Sequence, residues 1–180
     1  MKKANVKILC VSSVLAALYV ALELLAMYSG ILTFGDNYQI PISCFPLILA
    51  SVTLGPIWGT AVGIVGSFLS QMLSPYGIGW SSVIWMIPTI LYSLAVALLF
   101  LAFKKNCKRV VLSVQFIISS LLLSFLNIAA NYSFNILADF SNVLLKLFLP
   151  VKIVFAVVFA IVFAIVTPPV IKKLKPFIEQ

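Results

Sequence analysis

Ten of the twelve basic residues of this chain lie in three short clusters at the edges of long apolar segments. The clusters occupy residues 2–7, 104–109 and 172–175. Loops that stay on the cytoplasmic side of a membrane carry the excess of Lys and Arg. The clusters therefore predict a membrane protein whose two termini and one internal loop share the cytoplasmic face.

The composition agrees with a membrane protein. The chain is 63% hydrophobic and 9% charged, which lies far outside the range of soluble domains. The net charge of +8 does not indicate a nucleic-acid partner, because the basic residues flank apolar spans. The first apolar run is too long for a signal peptide and is interpreted as a transmembrane helix.

A helix needs about 20 apolar residues to cross a bilayer. On this criterion the sequence predicts an all-α membrane protein, a single domain over residues 1–180 with six transmembrane helices. The predicted helices are residues 8–28, 38–54, 56–73, 81–103, 110–137 and 150–166. Pro41 and Pro46 are expected to tilt or break the second, Pro88 to kink the fourth, and Pro168-Pro169 to end the sixth. Six crossings place both termini in the cytoplasm.

Two segments carry small residues at intervals of four, a spacing that lets transmembrane helices approach closely. In the third segment the predicted packing stripe comprises Gly55, Gly59, Gly63, Gly66 and Ser67. The first segment has a similar series, Ser13, Ala17 and Ala21. We interpret the third-segment stripe as packing within the chain. The first-segment series fits internal packing or a docking face for another protein equally well.

Polar residues inside apolar segments are the candidates for function. Asn127, Asn131 and Asn135 lie on one face of the fifth segment and either join helices or line a cavity. Glu23 is the single acid within an apolar span. It either serves function directly or is an interfacial carboxylate that pairs with Lys152.

Three aromatic residues, Tyr76, Trp80 and Trp85, surround the start of the fourth segment. They fit either an interfacial aromatic belt or a surface that stacks on a flat ligand. Lys152, just after Pro150, is placed to reach over the mouth of a cavity.

Several motifs are absent from the sequence. There is no His, no ATP-binding P-loop, no Gly-x-Ser-x-Gly nucleophile motif and no acid-rich metal cluster. The sequence therefore predicts neither an enzyme nor a cofactor or metal site. Energy for transport, if used, is expected from a partner or a gradient.

Two runs carry a family resemblance. The runs QIPISCFPLILA from Gln39 and LGPIWGTAVGIVG from Leu54 resemble the substrate-binding (S) components of energy-coupling-factor (ECF) vitamin transporters, in the folate and pantothenate branch. The resemblance extends to Pro88, the asparagines of segment five and the Leu-Pro-x-Lys run at residues 149–152.

The resemblance implies a six-helix bundle in a prokaryotic plasma membrane, with a vitamin pocket near the outer surface. It implies docking through Ser13, Ala17 and Ala21 on a transmembrane coupling subunit driven by two cytoplasmic ATPases. Within this family the loaded bundle is thought to topple and release its substrate inward.

The sequence departs from the family pattern at positions that bear on the substrate. Relatives that bind folate often carry Arg where Gln39 and Lys152 stand here, and Asp is frequent in relatives of the family near Ser67. The missing Arg favours a weakly charged ring compound over a dianion. We expect hydrogen bonds from Asn131, Asn135 and Gln39, and stacking from Trp80 or Tyr76. Charge matching is expected from Glu23 or Lys152.

Two other functions use the same features. A stand-alone secondary transporter or channel would use the cavity without ATPase partners. A structural protein would use the glycine stripes only to bind other helices.

Overall fold

A computed structural model describes residues 3–29, 42–75, 77–103, 109–137 and 143–179. Within these ranges the chain is all-helical, with six helices and no strand, and the predicted all-α class is confirmed there. The helices are α1 (Lys3–Ser29), α2 (Cys44–Thr53), α3 (Pro56–Met72), α4 (Trp80–Ala102), α5 (Arg109–Leu137) and α6 (Val143–Glu179).

Three helices in the described part of the chain are long and apolar enough to cross a membrane. These candidate spans are Val6–Ser29, Trp80–Ala102 and Val110–Ile136, and α2 is a shorter apolar helix. By length and composition, the chain is therefore a transmembrane protein with several apolar helices.

Helix α2 is the buried centre of the bundle. It packs against α1, α3, α4 and α6, and among its ten residues all but Phe45 and Thr53 are buried. Residues 44–50 are apolar on every face, as expected for a helix that is covered on all sides. Its length of about 15 Å is half of the roughly 30 Å hydrocarbon layer. The helix therefore fills the core of the bundle and is too short to span the layer alone.

The prolines around α2 set its bounds. Pro46 lies in the first turn of α2, where backbone N–H groups have no acceptor within the helix and a proline is tolerated. The predicted second segment begins at residue 38, whereas α2 begins at Cys44; residues 30–41 lie outside the described part. Gly55 then adopts φ +88°, a conformation that favours glycine. Pro56 starts α3 directly after it.

Helix α6 is longer than the predicted segment at residues 150–166. It covers Val143–Glu179, so the predicted stop at Pro168-Pro169 is wrong, and residues 143–149, expected in a loop, are helical. Pro168 has no N–H to give to the carbonyl of Ala164. The hydroxyl of Ser113 on α5 donates a 2.8 Å hydrogen bond to that carbonyl instead. The neighbouring helix thus satisfies the group that the proline leaves unpaired.

One end of the bundle gathers the ends of several helices. Near the C-terminus of α1, the Tyr28 hydroxyl donates a 3.0 Å hydrogen bond to the carbonyl of Leu73, which follows α3. Trp80, the first residue of α4, stacks on Phe134 near the C-terminus of α5. We call this end, marked by Tyr28, Leu73, Trp80 and Phe134, the Trp80 end.

Helix α3 contacts three different helices through three glycines. A Cβ atom added at Gly59 would lie 2.5 Å from Ser51 Cα on α2, and one at Gly63 would lie 2.5 Å from Ser93 Oγ on α4. At Gly66 it would lie 2.6 Å from the Tyr19 ring on α1. At each of these positions a side chain would force the neighbouring atoms to shift. The stripe therefore lets α3 hold α1, α2 and α4 at once.

The remaining members of the predicted stripe differ. A Cβ atom at Gly55 would meet no other atom within 4 Å. Glycine at this position therefore allows the backbone turn and is not needed for a close contact between helices. Ser67 is buried, and its hydroxyl donates to the carbonyl of Ile64 on the same helix.

We predict that Gly59→Ala destabilises the protein although alanine is the better helix former. The gain in helix propensity is about 1 kcal/mol, but the new methyl group meets the backbone of Ser51, which moves only if α2 moves. Overpacking of this kind typically costs about 1–3 kcal/mol or more. The midpoint of thermal unfolding in detergent should fall.

The matched control is Gly79→Ala. Its Cβ atom would lie 3.9 Å from the nearest atom, Ser81 Oγ, and Gly79 has φ −137°, which any residue adopts. A melting temperature for Gly59→Ala equal to that of this control would contradict the packing described here.

Candidate functional site

Glu23 lies on α1, in the half nearer the Trp80 end, and is half-buried. The Ser43 hydroxyl, just before α2, lies near its carboxylate. The Tyr19 hydroxyl and the Cys44 thiol also lie near this carboxylate. Among the described residues no Lys or Arg faces this carboxylate. The acid that the sequence singles out therefore sits among neutral polar groups of α1 and α2.

Tyr19 lies one turn below Glu23 and forms the floor of this polar region. Its side chain is buried, and its ring crosses α3 over Gly66. The Tyr19 and Thr89 hydroxyls share a hydrogen bond of 3.4 Å between α1 and α4, and the Ser70 hydroxyl lies nearby. A side chain at residue 66 would block this crossing. The glycine is therefore what allows α1 to reach α4 across α3.

An aromatic cluster joins α4 to α5 at the Trp80 end. The Trp80 and Phe134 rings stack with centroids 5.8 Å apart and planes 18° apart. The Trp85 and Phe134 rings are tilted, with centroids 5.6 Å apart. Trp80 is 59% exposed, whereas Trp85 is half-buried. The cluster therefore runs from the surface of the bundle inwards.

The polar region and the aromatic cluster lie at one level of the bundle. Residues four apart on a helix share a face, so Glu23 lies one turn from Tyr19 and Trp85 one turn from Thr89. The bond between Tyr19 and Thr89 sets the level of α1 relative to α4. The step from Tyr19 to Glu23 along α1 and the step from Thr89 back to Trp85 along α4 both lead towards the Trp80 end. Glu23 on α1 and Trp85 on α4 therefore each lie one turn closer to the Trp80 end than the hydrogen bond between Tyr19 and Thr89.

The three asparagines do not act as one group. Asn127 is exposed, and the half-buried Asn131 donates a 2.8 Å hydrogen bond from Nδ2 to the Asn127 carbonyl on its own helix. Asn135 is also half-buried and has an interaction partner. Asn131 and Asn135 flank Phe134 and share its helical turn, next to the aromatic cluster. Of the predicted series, these two lie closest to the Trp80 end.

Several predicted site residues lie outside the described part of the chain. They are Gln39, Tyr76 and the side chain of Lys152, whose backbone belongs to α6. Ser13, Ala17 and Ala21 are all exposed along one face of α1. The described residues include no group of three or more His, Cys, Asp or Glu that would hold a metal ion.

Three residues of this region were not identified from the sequence: Tyr19, Ser43 and Phe134. The sequence does offer an indication that Tyr19 belongs to this region, because it lies four residues before Glu23 on the same helix face. Phe134 had a weaker one, since it lies between the asparagine positions 131 and 135. Ser43 had none, because its neighbour Glu23 is distant in sequence.

The family model described as "ECF transporter, substrate-specific component" matches residues 9–171 of the chain. The chain belongs to this family. No solved structure of another protein gives a significant match.

Members of this family are substrate-binding membrane subunits and not enzymes. They bind small molecules and work with a module of transmembrane and ATPase subunits, in which ATP hydrolysis takes place. The lack of nucleotide-binding motifs in this S component accords with that division of labour.

We predict that Gly66→Ala weakens retention of a bound small molecule more than it lowers stability. Its methyl group meets the Tyr19 ring, which is a side chain and moves more readily than the backbone that Gly59→Ala displaces. A displaced ring loses its bond to Thr89 and disturbs the floor beneath Glu23. Thermal unfolding gives the stability, and native mass spectrometry gives the retained fraction.

The control for Gly66→Ala is Tyr19→Phe, which keeps the ring in place and removes only its hydroxyl. Full retention by Gly66→Ala with a wild-type melting temperature would mean that Tyr19 does not support the site.

Proposed function

We propose that this S component captures a water-soluble vitamin or a related small ring compound from outside the cell for ATP-driven uptake. The observation that carries the proposal is the aromatic cluster, in which Trp85 and the stacked Trp80 and Phe134 run from the interior to the surface at the end of the bundle towards which Glu23 also lies. Ligand sites combine apolar and aromatic walls with a few convergent polar groups, and this region has both.

The charge pattern supports an orientation for the site. With both termini in the cytoplasm of a prokaryote, as the charge pattern predicts, the three basic clusters lie on the inner face of the plasma membrane. The Trp80 end then faces outwards, and Glu23 lies in the outer half of the bundle. This topology gives the site direct access to solutes outside the cell.

The residues favour a weakly charged ring compound. The aromatic faces of Trp80 and Trp85 suit a flat ring, and the amides of Asn131 and Asn135 suit its polar edges. We place the chain in the folate and pantothenate branch by its resemblance. Gln39 and Lys152, standing where folate-binding relatives often carry Arg, favour a substrate other than a dianion.

Native mass spectrometry of the gently purified protein tests the proposal directly. We expect a small molecule of defined mass to be retained, and uptake of that molecule by cells or proteoliposomes to require the coupling subunits and ATP. Uptake that persists without those subunits would identify a stand-alone transporter instead. Failure to retain any molecule under several growth conditions would contradict a binding subunit.

Replacing Asn131 and Asn135 together by Leu should lower the affinity for the retained molecule at least about ten-fold, as expected when bound polar groups lose their partners. Isothermal titration measures the change. The control is Asn127→Leu, because Asn127 is exposed and lies farthest from Phe134 among the three. Unchanged affinity in the double variant would remove the asparagines from the site.

The exposed series on α1 is the proposed docking face for the transmembrane coupling subunit. Small side chains there allow close approach of another helix, so Ala17→Trp and Ala21→Trp should reduce co-purification with the coupling subunits. Ala129→Trp, at another exposed alanine, is the matched control. Ligand retention should stay unchanged in all three variants. Normal assembly of Ala17→Trp and Ala21→Trp would place the docking face elsewhere.

A further inference from the structure

Four polar side chains of α4 and α5 lie in the core of the bundle. They are Tyr92 on α4 and Gln115, Ser119 and Ser120 on α5, and all four are more than nine-tenths buried. Among the described residues, the Gln115 amide and the hydroxyls of Ser120 and Tyr92 have no hydrogen-bond partner. Buried polar groups without partners are costly and uncommon in proteins. These groups therefore need partners beyond the described residues.

The contact between α4 and α5 brings the four polar groups together. The Ser119 hydroxyl donates a 3.2 Å hydrogen bond to the Phe116 carbonyl, so its oxygen lies over the helical turn that carries Gln115. Gln115 and Ser119 are four residues apart and share one helix face. The Tyr92 hydroxyl on the neighbouring helix lies near the hydroxyls of Ser119 and Ser120. We call these four side chains the Gln115 cluster.

The Gln115 cluster is separate from the candidate functional site. Tyr92 lies 12 positions after Trp80, about 18 Å along α4, and Ser119 lies 15 positions before Phe134, about 22 Å along α5. Leu112, three residues before Gln115, belongs to the hydrophobic core. The cluster is therefore a polar region inside an apolar core, and what fills it does not depend on the identity of the substrate.

The unpaired atoms indicate the kind of molecule that fits. The Gln115 amide has two donor hydrogens and an acceptor oxygen, and the hydroxyls of Ser120 and Tyr92 each donate and accept. A metal cation would leave the amide donors unpaired, whereas an anion would leave the amide oxygen unpaired. No side chain of the cluster carries a charge that would offset an ion. Water both donates and accepts, and buried water typically bridges two to four such groups.

We propose that ordered water binds in the Gln115 cluster and bridges Gln115 and Ser120 of α5 to the Tyr92 hydroxyl of α4. Helices in a bilayer are joined by close packing and by hydrogen bonds between them, and a bridging water supplies such bonds. The contact between α4 and α5 is then hydrated in the core, whereas stacked rings form it at the Trp80 end.

Radiolytic labelling in water enriched in oxygen-18 tests for the bound water directly. Hydroxyl radicals generated from a water beside an aromatic ring transfer their oxygen to that ring, and mass spectrometry of the digested protein locates the label. We expect oxygen-18 on Tyr92 of the full chain in nanodiscs, although this side chain is fully buried. The double variant Gln115→Met with Ser120→Ala should lose that label, because two of the groups that hold the water are removed.

The matched control for the labelling is Thr167→Val. Thr167 lies on α6, is fully buried, and has a hydroxyl with no partner among the described residues. Its replacement removes an unpaired buried hydroxyl outside the Gln115 cluster, so Tyr92 should keep its label. If the double variant does not fold, Gln115→Met alone supplies the comparison.

The direction of the change in stability is an independent test. In a dry cluster, Gln115→Met removes an unpaired amide and should raise the melting temperature. In a hydrated cluster it breaks a water bridge, and we expect a fall of about 2–4 °C, the shift for about one lost hydrogen bond in a chain of this size. Tyr92→Phe should also lower it. Because both changes affect the same water, the double variant should fall by less than the sum.

Three results would overturn the bound water. Unlabelled Tyr92 with raised melting temperatures would mean that the cluster is dry. Unlabelled Tyr92 with lowered melting temperatures would mean that the side chains bond to one another directly. A label on Tyr92 that persists unchanged in Gln115→Met with Ser120→Ala would mean that these residues do not hold the water. None of these results bears on whether the protein binds a vitamin.

Discussion

The close approach of α3 to three neighbouring helices is the contact on which the rest of the bundle depends. Lipid offers transmembrane helices no hydrophobic gain on association, so they associate through tight packing and interhelical hydrogen bonds. Gly59, Gly63 and Gly66 let α3 touch α2, α4 and α1 within a few turns. The Ser51 hydroxyl adds a 2.8 Å hydrogen bond to the Ser93 carbonyl. The four N-terminal helices are thereby joined along the part of α3 between Gly59 and Gly66.

The same contact builds the floor of the candidate site. Tyr19 reaches Thr89 only because residue 66 has no side chain, and that bond sets α1 against α4. The positions of Glu23 and Trp85 follow, since each lies one turn from a residue of the bond. Packing therefore bears on the candidate site, because Gly66 leaves room for the Tyr19 ring and for the bond from which Glu23 and Trp85 each lie one turn away.

The sequence predicts well what depends on local patterns. The apolar runs and Pro56 gave helix bounds close to those observed for α3, α4 and α5. The stripe of small residues on α3 was visible as a spacing. Its partners were not, because the contacts with Tyr19, Ser51 and Ser93 join residues distant in sequence. The pattern shows that a helix face is flat but not what lies on it.

The sequence predictions that were wrong or incomplete failed for the same reason, because they concern contacts between residues that are distant in sequence. Pro168 was expected to end α6, since nothing local replaces its missing hydrogen bond. The replacement comes from Ser113 on another helix. Phe134 was overlooked because an aromatic residue in an apolar helix is unremarkable by itself, and its meaning comes from Trp80 and Trp85 on α4. Tertiary contacts thus overrule local signals both in the fold and in the site.

Helix α1 shows how one element serves two surfaces. Tyr19 and Glu23 face inwards, while Ala17 and Ala21 are exposed. Two residues along a helix turn it by about 200°, so the two pairs point to nearly opposite sides. A helix with a polar residue on its inner face and small residues on its outer face shows little amphipathic character by composition. The division of α1 therefore becomes visible only when its neighbours are placed, with Gly66 and Ser43 on one side and no part of the described chain on the other.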